Sequence, residues 1–232
     1  MLLSSLADVE ESPLELVERP DPEPGEGEVR VRVKACAVCR TDLHVVEGDL
    51  PEGRLPIVPG HQVVGEVEAL GAGCGRLEAG DRVGIAWLRG TCGACEFCRS
   101  GRENLCAEGR YTGYHRDGGF AEKAVVDEAW AYRIPDVFGD AEATPLLCAG
   151  LVGYRSLRRA SVPDGGALGI FGFGSSAHVV IQIARHRGCE VHVATRSGGH
   201  RALARELGAA STGSPYEPLP EAVHGAIVFA PA

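Results

Sequence analysis

Apolar and charged positions alternate strictly along VRVRVKACAV, residues 29–38, which predicts a half-buried strand. A Pro/Gly/Glu-rich loop, residues 20–28, leads into it. HQVVGEVEAL (61–70), DRVGIAW (81–87), FAEKAVVD (120–127) and AYRIP (131–135) are further short runs rich in β-branched or alternating positions. GAGCG (71–75) and EAG (78–80) punctuate them with glycine. Many short strands at close spacing predict a mostly antiparallel β domain.

The pattern changes near residue 140. DAEATPLLCAGLVGYRSLRRA (140–160) reads as one helix, acidic in its first turn and basic in its last, matching the helix dipole. GALGIFGFGSSAHVVIQIARHRG (166–188) reads as strand, glycine turn and helix, and CEVHVATR (189–196) as a buried strand. GHRALARELG (199–208) is a second helix, AASTG (209–213) a short strand and HGAIVFAPA (224–232) a further apolar one. Strands alternating with helices predict a parallel α/β sheet. We therefore expect two domains, 1–150 and 151–232, with the boundary between 140 and 160. Four strands fall short of the roughly six of a complete dinucleotide-binding sheet, so the chain reads as part of a longer protein.

Composition narrows the function. The 232 residues are 44% hydrophobic with a net charge of -9, which suits soluble domains and excludes the basic footprint of a nucleic-acid binder. No run is apolar enough to span a membrane, and the N-terminus lacks the layout of a signal peptide, so a cytoplasmic protein is expected. Nine cysteines are many for such a compartment, and Cys92, Cys95, Cys98 and Cys106 stand as C-x2-C-x2-C-x7-C. In a reducing compartment this cluster reads as a metal site, a closed four-thiolate zinc centre, with an iron–sulfur cluster as the alternative.

A second group of ligand types is dispersed. CRTDLH (39–44) carries a thiol, a hydroxyl and an imidazole; VPGHQVVG (58–65) holds His61 behind a Pro-Gly turn; LLCAG supplies Cys148. Two thiolates and one imidazole make three zinc ligands with a fourth position open to substrate. Gly172 and Gly174, with Ala177 at the third glycine position, form G-x-G-x-x-A between a strand and a helix, a turn that lets a pyrophosphate approach a helix N-terminus. The strand that follows ends in Thr195, Arg196 and Ser197 with no carboxylate for ribose hydroxyls, which tilts cofactor choice from NAD towards NADP.

In this order, CRTDLH, VPGHQVVG, WLRGTCGACEFCRSGRENLC, LLCAG and GFGSSA resemble the zinc-dependent medium-chain alcohol dehydrogenases, and GIAWLRGTCGACEFC is most similar to their yeast and bacterial branch. The resemblance implies a GroES-like catalytic domain with a structural zinc lobe at about 88–110, followed by part of a Rossmann domain. It implies Cys39, His61 and Cys148 as catalytic zinc ligands and Cys92, Cys95, Cys98 and Cys106 as structural zinc ligands, two zinc ions per chain. Asp42 then orients the ligand histidine, Thr41 and His44 relay a proton, and Arg40 contacts the cofactor pyrophosphate. Trp87 would wall the pocket for a small primary alcohol or aldehyde, in a homo-oligomer (a dimer or tetramer). One position departs from the family: Gln62 follows His61 where a glutamate is usual, which should leave zinc binding intact and make the metal slightly more electrophilic. A non-catalytic zinc-binding module or a zinc-free quinone reductase would need neither the open ligand triad nor the relay.

Overall fold

The computed structural model describes residues 1–51 and 53–230 and divides into two compact units, Met1–Cys148 and Ala149–Ala232.

In the first unit, β1 (Leu2–Leu3) pairs with β2 (Leu14–Glu15). The long β3 (Glu28–Ala37) is followed by helix α1 (Arg40–Glu47), β4 (Gln62–Leu70) and β5 (Arg82–Ile85). Next come β6 (Leu88–Gly90), the short helix α2 (Glu96–Arg99), β7 (Arg110–Tyr111), β8 (Lys123–Asp127) and β9 (Ala131–Arg133). Five strands make one antiparallel sheet in the order β8-β3-β4-β5-β9, and β6 pairs with β7 separately. Alternation along β3 does what the sequence predicts: Val29 and Val31 are fully buried against Val63, Val67, Val83, Ile85 and Val126, while Arg30 and Arg32 point away. Those arginines pair across the strands with Glu68 and Glu66, each at 3.0 Å. Such exposed pairs add under about 1 kcal/mol each, so the buried valines carry the sheet.

The sequence predicts a single helix over 140–160; the chain instead forms α3 (Asp140–Ala143), a 3-10 turn at Thr144–Leu147, and α4 (Ala149–Ala160). Pro145 has no N–H to continue the α-helical ladder. Cys148 leaves the helical region altogether, with φ -134° and ψ -77°. The acidic and basic ends therefore belong to two separate helices. The break turns Cys148 towards Cys39 and His61.

In the second unit, β10 (Ala167–Phe171), α5 (Ser175–His186), β11 (Glu190–Ala194), α6 (Gly198–Glu206), β12 (Ser211–Gly213) and β13 (Gly225–Val228) follow α4. The four strands are all parallel, in the order β12-β11-β10-β13. After three strands laid side by side the chain returns to the far side of the first, the 3-2-1-4 arrangement of a Rossmann sheet. Leu168, Ile170, Val191, Val193 and Ile227 from the strands pack with Ala177, Val180, Ile181 and Ala184 from α5 in one core. Pro231 and Ala232, the end of the apolar run predicted at 224–232, lie outside the described residues. Among the described residues, no helix is long and apolar enough to cross a membrane.

Candidate active site

Cys39 sits at the N-cap of α1, where two reciprocal hydrogen bonds fix it. Its Sγ accepts from the Thr41 N–H at 3.3 Å, and the Asp42 Oδ2 accepts the Cys39 N–H at 2.8 Å. The second oxygen of the same carboxylate, Oδ1, lies 2.9 Å from His61 Nδ1. Asp42 and His61 are both buried. A carboxylate there makes Nδ1 the donor and turns the Nε2 lone pair towards Cys39, whose Sγ is 3.4 Å away. Cys148 completes the group: the ligand atoms of Cys39, His61 and Cys148 all lie within 4.8 Å of one another.

That spacing fits a metal. Tetrahedral Zn–S and Zn–N bonds of about 2.3 and 2.1 Å put sulfur and nitrogen about 3.6 Å apart. Without metal the group balances its charges internally. The Cys148 thiol donates to Cys39, and with burial opposing and His61 adding its attraction, the Cys39 thiol is held down at about 3. Burial works against a charged His61, yet hydrogen bonds with Asp42 and Cys39 push it up to about 9. The Cys148 thiol is pushed well up, because it supplies the proton that Cys39 shares and is itself buried. A divalent cation entering here displaces protons from His61 and Cys148.

The Pro-Gly turn that delivers His61 is braced by residues 117–120, where the sequence predicts a strand only from Phe120. The Val58 and Pro59 carbonyls and that of Gly60 accept the N–H groups of Gly118, Phe120 and Gly119 at 2.6, 2.9 and 2.8 Å. The Asp117 carboxylate takes the Val58 N–H at 3.0 Å. Gly60 has φ +95°, and a Cβ there would meet the Phe120 ring at 2.5 Å. The Asp-Gly-Gly run at 117–119 was the available signal for this strap. Gln62, immediately after the ligand, opens β4; it is buried and its Nε2 donates to the Ala37 carbonyl at 3.4 Å.

Thr41 and His44 both lie on α1, and Arg40 is exposed at its first position. His44 is partly exposed and its Nδ1 donates to Asp49 at 2.7 Å. Trp87 meets the His61 ring edge-on at 5.1 Å and stacks on Tyr111 at 5.0 Å, so it buttresses the ligand as part of a small aromatic cluster.

Cys92, Cys95, Cys98 and Cys106 converge in a separate lobe around α2. Sulfur separations are 3.4 Å for Cys95–Cys98, 3.6 Å for Cys92–Cys106 and 3.9 Å for Cys92–Cys98. A tetrahedron with Zn–S bonds of about 2.3 Å has edges of about 3.8 Å. Backbone N–H groups, that of Ala94 first and that of Cys95 next, bring the Cys92 thiol down to about 7, towards the thiolate a metal needs.

In the second unit the glycine turn falls between β10 and α5. Gly172 has φ +88°, and a Cβ there would lie 2.6 Å from the Ala230 N. Gly174, the N-cap of α5, has no side-chain cap and open space where a Cβ would point. Gly174 and Ser175 at the start of α5 are exposed, while Ala177 is fully buried in the core. Arg196 is exposed just beyond the end of β11, and the Ser197 hydroxyl caps α6 by accepting the His200 N–H at 3.3 Å.

The chain is similar to known proteins over most of its length. The alcohol dehydrogenase GroES-like domain matches residues 25–136. "Probable alcohol dehydrogenase AdhA" of Mycobacterium tuberculosis (strain CDC 1551 / Oshkosh) is 52% identical over 228 residues, 96% of this chain and 66% of that protein. The chain belongs to the zinc-dependent medium-chain alcohol dehydrogenase family. Among solved structures, the cobalt- and zinc-bound thermostable alcohol dehydrogenase from Pyrobaculum aerophilum superposes with a TM-score of 0.83 at 30% identity, over 92% of this chain and 64% of that one. The CAD of Helicobacter pylori complexed with NADP(H) gives 0.82 at 26% identity, over 89% of this chain and 62% of that one. The chain thus spans slightly less than two thirds of the length of each of these relatives.

Proposed function

We propose that the protein is a zinc-dependent alcohol dehydrogenase passing hydride between a small primary alcohol or aldehyde and NADP(H), with two zinc ions per chain. The observation that carries this reading is the convergence of Cys39, His61 and Cys148, with Asp42 fixing the histidine. Three protein ligands leave a coordination position for substrate, whereas the four thiolates at 92–106 close theirs. Zinc bound by Cys39, His61 and Cys148 supplies Lewis acidity that makes a hydroxyl group easier to deprotonate and a carbonyl easier to reduce.

The chain's own residues do the rest. Asp42 holds the proton on His61 Nδ1, so Nε2 remains a ligand throughout turnover. Thr41, beside Cys39 at the start of α1, takes the substrate hydroxyl proton as it gives up its own towards His44. His44, its Nδ1 anchored on Asp49, passes it to water from the partly exposed ring. The α5 N-terminus beyond Gly174 receives the pyrophosphate. Arg196, with no carboxylate near it in sequence, favours a 2′-phosphate, and the Helicobacter pylori relative was solved with NADP(H). A reducing, cytoplasmic setting, in which the nine free cysteines stay available to metal, belongs to the same reading.

The test uses the complete open reading frame that contains this chain, loaded with zinc. NADPH and NADH oxidation is followed with a panel of aldehydes, in wild type and in Cys39→Ser and Arg196→Asp variants. Aldehyde-dependent oxidation that Cys39→Ser abolishes supports the enzyme. No oxidation of either cofactor by wild type overturns it. Arg196→Asp should weaken NADPH but spare NADH; unchanged NADPH affinity sinks the cofactor preference alone.

A further inference from the structure

We propose that Glu190, His192 and Glu221 form a third cation site, separate from both thiolate centres and suited to a first-row divalent metal. Strand alternation sends Val191 and Val193 into the core with α5, and His192 to the opposite face together with Glu190. His192 is only 1% exposed. Its Nδ1 lies 2.9 Å from the hydroxyl of Ser211, its direct partner in the register of β11 and β12. Its Nε2 is buried and has no hydrogen-bond partner among the described residues. Leaving such an atom unpaired in the interior is unfavourable.

Two carboxylates lie beside the His192 ring, and that of Glu190 faces this Nε2. The nearer Glu190 oxygen is 3.9 Å away, outside hydrogen-bond range but within reach of an intervening ion. Glu221 arrives from residues 214–224, which join β12 to β13 without helix or strand. One ligand atom from each of the three residues lies within 4.8 Å of the others. Metal–ligand bonds of about 2.1 Å would draw the imidazole and carboxylates to roughly 3.4 Å, so the site must contract by about half an ångström between His192 and Glu190. The Glu190 side chain is half exposed and free to swing that far. A neutral imidazole donating Nδ1–H to Ser211 offers its Nε2 lone pair, the tautomer that metal-ligating histidines adopt. Two carboxylates balance a dication, and a mixed imidazole–carboxylate donor set suits zinc, manganese or cobalt better than calcium. Bound there, a cation would tether the otherwise irregular crossover to β11.

The competing occupant of the gap is a proton, with an imidazolium lying between two carboxylates. Zinc titration of the intact protein separates the two. Equilibrium dialysis against Zn2+ gives the metal content of wild type, Glu190→Gln and Glu221→Gln, both exposed positions that carry no core contact, while the His192 ring nitrogens are followed by NMR. The expected result is one equivalent more in wild type than in either variant, with about tenfold or more weaker binding of that equivalent in the variants and a shift of Nε2 rather than Nδ1 on zinc addition. Because the readout is a difference between wild type and variant, it stands whatever the thiolate sites bind. Equal metal content in all three proteins, or an Nε2 resonance that responds to pH but not to zinc, would overturn the proposal.

Discussion

Asp42→Asn changes one atom and forces a choice that the wild-type side chain avoids. The carboxylate presents an acceptor to each of two donors, the Cys39 N–H at 2.8 Å and His61 Nδ1 at 2.9 Å. An amide has one acceptor and one donor group. If its oxygen serves Cys39, its NH2 faces His61 and the ring shifts its proton to Nε2, where it cannot bind metal. If the oxygen serves His61, the NH2 opposes the Cys39 N–H and the cap of α1 is lost. Either way one charge-assisted hydrogen bond goes, a loss of about 1.5–3 kcal/mol. Losing the partner of a ligating histidine commonly costs about 10–100-fold in metal affinity, or about 1.4–2.7 kcal/mol, the same range by a separate route. We expect zinc affinity at Cys39, His61 and Cys148 to fall by that factor and affinity at the four cysteines to stay unchanged. Competition with a chromophoric chelator reads both sites at once, and the four-cysteine lobe serves as the internal control. Wild-type affinity at both sites in Asp42→Asn would refute the reasoning.

Three further outcomes follow from the geometry. Gly172→Ala should lower stability by about 1–3 kcal/mol, since φ +88° and the Ala230 backbone both oppose a Cβ; Gly174→Ala should leave the melting temperature within a degree or two but weaken dinucleotide binding. Equal destabilisation by both changes would remove the distinction between a structural and a ligand-facing glycine. Burial raises the Cys36 thiol to about 12, so the folded chain keeps this proton while the unfolded chain releases it near 9. That stabilisation is complete below pH 9 and is lost as pH climbs towards 12, and denaturant titrations from pH 8 to 11 should show a steeper decline in wild type than in Cys36→Ala. Gln62→Glu removes the donor to the Ala37 carbonyl and should destabilise the apo protein by about 1–3 kcal/mol without loss of zinc; equal thermal stability would show that the amide contributes nothing.

Periodicity revealed β3 because that strand pairs a buried face with a charged one, Val29 and Val31 against Arg30 and Arg32. It misread 140–160 because the helical pattern there is real on either side of Cys148, and only Pro145 hinted at the break. The ligand types were readable from spacing where they are local, as at 92–106. Cys39, His61 and Cys148 offer the right ligand types, but no local rule links residues so far apart in sequence, and it is the resemblance that implies one catalytic zinc for all three. The strap at 117–120 and the cluster at Glu190, His192 and Glu221 escaped notice for a related reason. Backbone hydrogen bonds between loops, and a glutamate carried in by an irregular crossover, leave no periodic trace.

The two thiolate centres also differ in what holds them, and this bears on how each should respond to unfolding. At 92–106 the ligands come from one short lobe built of turns, a single helical turn and a 3-10 turn, with the sulfurs themselves accepting backbone N–H groups. Little apolar burial supports that lobe apart from Cys106, so a metal bound there would supply much of its folding energy. The Cys39, His61 and Cys148 group instead sits on structure that other forces already fix. Asp42 starts α1 and orients His61 with one carboxylate, Gly60 and the 117–120 strap fix the turn, and the 3-10 segment before Cys148 packs Leu147 against Val64 and Ala86. Removing metal should therefore loosen the lobe first and leave the triad standing. A centre that keeps its geometry without its ion is the one able to leave a ligand position open, because the protein rather than a full coordination shell holds the remaining ligands in place.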